Sequence, residues 1–306
     1  MTDIKADPIA VEKPESQLWA IWVQFRAHRG AAIGLTVLVT LILIVLVGPF
    51  LWHPVKPTVL EALKAKNLGP SVSHPLGTDQ IGRDMLVRMI RAGKVSLSVG
   101  FVAMAIAITF GTTIGILAGY FRRLDGPLMR LTDVFLALPL IPLLLVLMML
   151  FRDKVASVTG PELGVFLLIV FAIGATSWMQ TARIVRGEVL ALKEREYVLA
   201  ARSIGTPPRR IILRHILPNV ISLVMVAATL GIADAIITES VLSFLGLGFP
   251  PDFPTWGRLL FDGVEYMQLY PERVIWPGLA ISFTVLSVNY IGDGLRDALD
   301  PRIRGR

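Results

Sequence analysis

The chain contains no cysteine, which excludes disulfides, thiolate metal ligands and cysteine nucleophiles. Charge is scarce. Only 17% of the 306 residues are Asp, Glu, Lys or Arg, against roughly a quarter in average soluble domains, so an ordinary water-soluble globule is excluded. Histidine is scarce too: His28, His53, His74 and His215 are scattered and lie outside the centres of the apolar stretches, which argues against a metalloenzyme buried in a bilayer. The single Gly-Lys pair, Gly93–Lys94, is followed by Val95, so no phosphate-wrapping G-x-x-x-x-G-K-[ST] loop is present. Neither H-E-x-x-H nor G-x-S-x-G occurs, which leaves zinc-protease and serine-hydrolase readings unsupported.

What is abundant is apolar surface. Hydrophobic residues make up 54% of the chain and the mean hydropathy is +0.66, which excludes disorder. The net charge of +7 would suggest nucleic acid in a soluble protein. In a chain this apolar it points to cations gathered on one side of a bilayer, with no nucleic-acid partner. Six stretches carry no charge: Ala31–Trp52, Val95–Phe121, Val134–Phe151, Leu163–Ala182, Ile216–Ala233 and Val274–Gly292. A crossing needs about 20 apolar residues, so the expected fold is all-α and polytopic, with six transmembrane helices. The first stretch lies too deep for an ordinary cleaved signal and is expected to be retained.

Lys and Arg set the orientation. With the N-terminus inside, nineteen fall on inner segments and eleven on outer ones, which puts both termini in the cytoplasm. The organisation expected is a cytoplasmic segment over residues 1–30, then a first span and external linker over 31–94. A five-helix core follows over 95–292, with a cytoplasmic hairpin at 183–215, and a cytoplasmic tail over 293–306. In the linker, Ile81, Met85 and Met89 recur every four residues while Asp84, Arg88 and Arg91 take another face. That spacing fits either an amphipathic helix flat on the membrane or a solvated connecting helix.

Ala103, Ala107, Gly111, Gly115 and Gly119 form a stripe of small residues every four positions in the second span, suited to close helix packing within this chain or against a partner. Pro139 and Pro142 fall in the third span, where each removes a backbone donor. Asp234 and Glu239 sit in or near the fifth. Carboxylates at that depth face a polar cavity or a partner, so both are candidates for a translocation pathway, with Glu239 also placed to be interfacial.

The segment RIVRGEVLALKEREYVLAARSIGTPPRRIILRH, Arg183–His215, is the most distinctive. Good helix formers run to Ile204. Gly205 then suits a left-handed helix end, with Thr206 as an N-cap and Pro207 at the first position of a new helix. Helix, sharp turn and short helix follow, presenting Tyr197, Ala200 and Ala201 among apolar residues that need cover. Anionic lipid or a soluble partner could provide it.

Ala200–Ala201, Gly205 and Leu217–Pro218 resemble the "EAA" signature of permease subunits from binding-protein-dependent ABC importers. The signature's glutamate falls at Leu199 here. HPLGTDQIGRD (His74–Asp84), SFLGLGFPPDFPTWG (Ser243–Gly257) and GDGLRDALDPR (Gly292–Arg302) resemble the dipeptide, oligopeptide and nickel group of these permeases, and its C-type subunit in particular. The likeness runs from about residue 17 to the C-terminus.

The resemblance implies a type I ABC importer permease fold in a bacterial inner membrane. It implies a homologous second permease, two ATP-binding subunits that carry ATP and Mg, and an external substrate-binding protein. This chain would hold no cofactor, no metal and no catalytic residue. The hairpin would be a coupling helix docked in an ATPase cleft, through Tyr197, Ala200, Ala201, Gly205, Thr206, Pro207, Arg209 and Arg210. The function expected is ATP-driven import by alternating access, with dipeptides or oligopeptides as the first choice of cargo. Two other classes stand beside it: an ion-gradient-driven secondary transporter using Asp234 and Glu239, and a membrane enzyme of unfamiliar chemistry. Between Glu239 and Arg273 lie five acids, Glu239, Asp252, Asp262, Glu265 and Glu272, and two bases; they are expected to form a docking face for the binding protein or a solvated face.

Overall fold

The computed structural model describes residues 17–52, 58–250 and 253–299. Lys5, Lys13, His53, Asp252 and Arg302, with the rest of the N-terminal segment and tail around them, lie outside the described residues. Among the described residues the structure is helical, with one isolated β-bridge between Thr78 and Asp84.

A short α1 (Gln17–Ala27) leads through His28 into α2 (Arg29–Leu51), the first crossing helix. His28 caps α2 by accepting the Ala31 N–H on Nδ1 at 3.0 Å. A small capped helix, α3 (Val59–Lys64), precedes a knot of turns that delivers the chain to α4 (Met85–Tyr120). The helix expected at Asp79–Lys94 is therefore not a separate element. It starts at Met85 and is continuous with the second span, because Asp84 accepts the Val87 N–H and caps it there. Ile81 stays in a turn, and Arg88 is buried, which fits neither a membrane-surface nor a solvated helix.

The third span is broken. α5 (Arg122–Ala137) and α6 (Leu140–Thr159) meet at 84°. Pro139 forms the N-cap of α6 and has no N–H to extend α5. α7 (Pro161–Leu192) runs well past the fourth apolar stretch. The hairpin follows: α8 (Glu196–Ser203), the turn at Gly205 and α9 (Pro208–Ile211). A π turn, Ile212–Ile216, joins α9 to α10 (Leu217–Phe244), so Pro208–Phe244 is one uninterrupted rod. α11 (Trp256–Val264) and α12 (Glu272–Leu299) complete the chain. Among the described residues five helices are long and apolar enough to cross a membrane, and the bent pair makes six when counted as one crossing.

The small-residue stripe packs inside the chain. Ala103, Ala107, Gly111, Gly115 and Gly119 are all buried. A Cβ at Gly115 would come within 2.6 Å of the Ala182 carbonyl oxygen, and one at Gly119 within 2.7 Å of Val189 Cβ, so α4 and α7 touch backbone to backbone. At the hairpin end of the bundle, Phe25 of α1, Ala31 of α2 and Ala298 of α12 share one apolar cluster. Both ends of the described chain thus lie on the hairpin's side.

Candidate functional site

The candidate residues fall in two regions: the hairpin, and the face of the bundle between α7 and α10.

In the hairpin, Gly205 has φ +79°. The Thr206 N–H donates to Ala201 O at 3.1 Å and the Gly205 N–H to Arg202 O at 3.0 Å. These paired bonds are the Schellman closure of α8, and they need a left-handed residue at Gly205. Thr206 is thus used in ending α8 and is not the N-cap of the next helix. Pro207 is that N-cap and Pro208 takes the first helical position, one residue later than expected. Nor does helix run unbroken to Ile204, since turns at Lys193–Arg195 separate α7 from α8.

Val198 and Ala201 are covered by the chain itself, in a cluster with Val185, Val189, Ile211 and Ile216. The outer face is bare: Ile204 is 83% exposed, Tyr197 44% and Leu199 39%. Ala200, Arg202, Arg209 and Arg210 are exposed around them. The turn is therefore glued to the bundle on one side and presents an apolar tip rimmed by guanidinium groups on the other.

Asp234 and Glu239 part company. Glu239 is fully buried. It accepts hydrogen bonds from Ser243 Oγ at 2.7 Å and Ser96 Oγ at 3.1 Å, while Thr255 Oγ1 donates to Ser243 Oγ at 3.2 Å. Ser96 Oγ also accepts the Trp256 N–H. Glu239 thus ties α10, α4 and the start of α11 together; it is neither interfacial nor a lining residue of the cavity that holds Asp234. The two acids are five positions apart, which puts them on different faces of one helix.

Asp234 lines a cavity of about 510 Å³ between α7, α10 and the α5–α6 break. Ser177, Gln180 and Thr181 of α7 and Thr238 of α10 share it, with Leu138 and Leu140 at the break. Among the described residues no Lys, Arg or His lines it, and Asp234 is its one acid. A wider hollow of about 1400 Å³ lies nearer the hairpin, lined by Glu188, Glu194, Glu196, Arg195 and Arg296 among others. The two share Ile184, Ala227 and Leu230, so they form one track along the bundle. The polar residues of α7 had a sequence signal. Ser177 and Thr181 are four apart and Gln180 stands beside Thr181, all within a charge-free stretch, but an inspection of charge alone passes over them.

The expected acidic docking face does not form as a unit. Glu239 is buried, and Asp262 is paired with Arg88 at 3.0 Å and Arg258 at 3.0 Å. Glu265 is exposed and Glu272 half-buried. Arg88 also reaches Asp79, 3.0 Å away, which Arg83 holds at 2.7 Å. Asp79 accepts the Ile81 and Arg83 N–H groups as well. The HPLGTDQIGRD segment is thereby knotted to α4 and α11.

Residues 111–305 match the family model described as the binding-protein-dependent transport system inner membrane component. The chain belongs to that family. Residues 16–70 also match the N-terminal transmembrane domain of oligopeptide transport permease C. The dipeptide transport system permease protein DppC of Alkalihalophilus pseudofirmus is 37% identical over 95% of this chain and 94% of its own length. The oligopeptide transport system permease proteins OppC of Bacillus subtilis and Haemophilus influenzae are each 36% identical, over 97% and 99% of this chain and 94% and 100% of their own. Among solved structures, a chain of the inward-facing MetNI methionine ABC transporter superposes with a TM-score of 0.55 at 17% identity, covering 71% of this chain and 98% of that one. The fold is that of an ABC importer permease, and this protein is a multipass permease subunit.

Proposed function

We propose that this permease carries dipeptides or oligopeptides across a bacterial inner membrane, in a complex with a second, homologous permease, two ATP-binding subunits and an external binding protein. The observation that carries the reading is the likeness to dipeptide and oligopeptide permeases over nearly the whole chain. In this account the hairpin and both termini are cytoplasmic, as the Lys and Arg distribution favours. ATP and Mg belong to the partner subunits.

The bare tip of the hairpin supports its role as the docking element. Tyr197, Leu199 and Ile204 would enter an ATPase cleft, with Ala200 beside them and Arg202, Arg209 and Arg210 around the rim. Closure of the ATPases would push the Gly205 elbow. The rod Pro208–Phe244, which begins three residues after it, would then tilt and change which end of the Asp234 track is open. Such a push drives transport only if nucleotide favours one state over the other.

Because the chain lacks cysteine, Ile204→Cys is a unique handle. Purification of the complex from native membrane after cross-linking at this position should recover this chain joined to an ATP-binding subunit, together with a related permease. Recovery of the chain alone, or uptake by the lone chain under an ion gradient, would overturn the reading.

A further inference from the structure

We propose that the Asp234 cavity is a transit site for the cationic end of the cargo: a carboxylate that holds an ammonium group as it passes. The proposal rests on the importer reading above and adds to it the chemistry of the site.

Four observations meet here. Asp234 projects from a crossing helix into a cavity of about 510 Å³. No described side chain pairs with its carboxylate, in a chain where Asp79, Asp125, Asp133 and Asp262 each have an arginine. An unpaired carboxylate at membrane depth is costly and marks a pathway or a partner site. Second, among the described residues no cationic side chain lines the cavity to neutralise it from within. Third, the other polar groups there, Ser177, Gln180, Thr181 and Thr238, supply oxygens that can accept further hydrogen bonds from an ammonium group, which offers three donors. The C-terminal end of α5 reaches the same cavity through Phe135, Leu136 and Leu138. The N-terminal end of α6 reaches it as well through Leu140 and Leu143, so the two helix ends offset each other and the sign of the site is set by Asp234. Fourth, the track toward the hairpin keeps this sign, since Glu188, Glu194 and Glu196 outnumber Arg195 and Arg296.

An ammonium group would thus be drawn from the cavity along carboxylates, with the apolar walls of Met104, Leu140 and Leu230 left for side chains of any kind. One charge fixed and the rest of the wall unspecific suits cargo that varies in sequence but shares an amino terminus.

The test uses the assembled transporter in membrane vesicles. A cysteine placed by Ser177→Cys is labelled by a thiosulfonate carrying either trimethylammonium or sulfonate. With Asp234 present, the cation should react faster than the anion, and Asp234→Asn should lower that ratio roughly tenfold, as expected for a unit charge within several ångströms at reduced dielectric. Asp234→Glu should restore it. In parallel, uptake of trialanine with a free amino terminus should fall at least tenfold in Asp234→Asn and recover in Asp234→Glu.

An unchanged labelling ratio, or undiminished trialanine uptake in Asp234→Asn, would overturn the site. Labelling itself reports whether the variant chain is inserted. A ratio that falls as expected while the unaltered transporter moves no peptide at all would leave the cation site standing and remove the peptide reading instead.

Discussion

Gly111 on α4 lies so close to Trp178 on α7 that a Cβ would sit 2.6 Å from the Trp178 carbonyl oxygen. The contact is backbone to backbone and has no side chain that could swing aside. Gly111→Val should therefore destabilise the bundle by about 1–3 kcal/mol or more, the usual cost of overpacking. A drop in the apparent melting temperature of the purified complex would show it. A variant as stable as the parent would mean that α4 and α7 are farther apart than described.

At the opposite end from the hairpin, Arg88 bridges Asp79 and Asp262. Arg88→Leu should cost about 3 kcal/mol, because a buried carboxylate loses a partner. Arg88→Lys should restore little, since one ammonium cannot match a guanidinium's fork between two acids. Thermal unfolding of the two variants checks this, and full stability in Arg88→Lys would refute the bridge.

Gly205 presents the opposite case from Gly111. Nothing lies within 4 Å of a Cβ there, and only its φ of +79° resists substitution. Gly205→Val should leave the chain inserted while straining the Schellman closure by about 1–2 kcal/mol. The expected phenotype is ATP hydrolysis that proceeds with uptake reduced. Normal uptake per ATP in the variant would remove the elbow from the mechanism.

Glu239 should behave unlike Asp234. Glu239→Leu leaves the hydroxyls of Ser96 and Ser243 without their acceptor and should destabilise by about 1–3 kcal/mol. Glu239→Gln keeps a carbonyl acceptor and should cost less. Neither should alter the cation preference measured at Ser177→Cys. A loss of that preference would place Glu239 on the pathway after all.

The crossing helices were legible because a charge-free run of about 20 residues has few alternatives. The left-handed glycine at Gly205 was legible because helix formers end there and prolines begin. The start of that next helix was misread by one residue, since two consecutive prolines both satisfy the first-turn rule and the sequence does not say which one is N1. Asp79–Lys94 misled for a different reason. Its four-residue spacing is genuine from Met85 onward, but a periodicity cannot tell a helix lying on a surface from one that continues into the next span. The fate of Glu239 and Asp262 was hidden because it depends on partners distant in sequence. Ser96 meets Glu239 across 143 positions, and Arg88 meets Asp262 across 174. No local pattern announces such pairs.

If the hairpin is pushed as proposed, the rod from Pro208 to Phe244 would work as an oar. At 1.5 Å per residue, Asp234 lies about 40 Å from the rowlock end at Pro208. A pivot of about 5° at that end would sweep the carboxylate sideways by about 3.5 Å, which is more than one hydrogen-bond length. On the proposed mechanism, a nudge smaller than a side chain, delivered at the rowlock, would be enough to make a grip on passing freight close or let go.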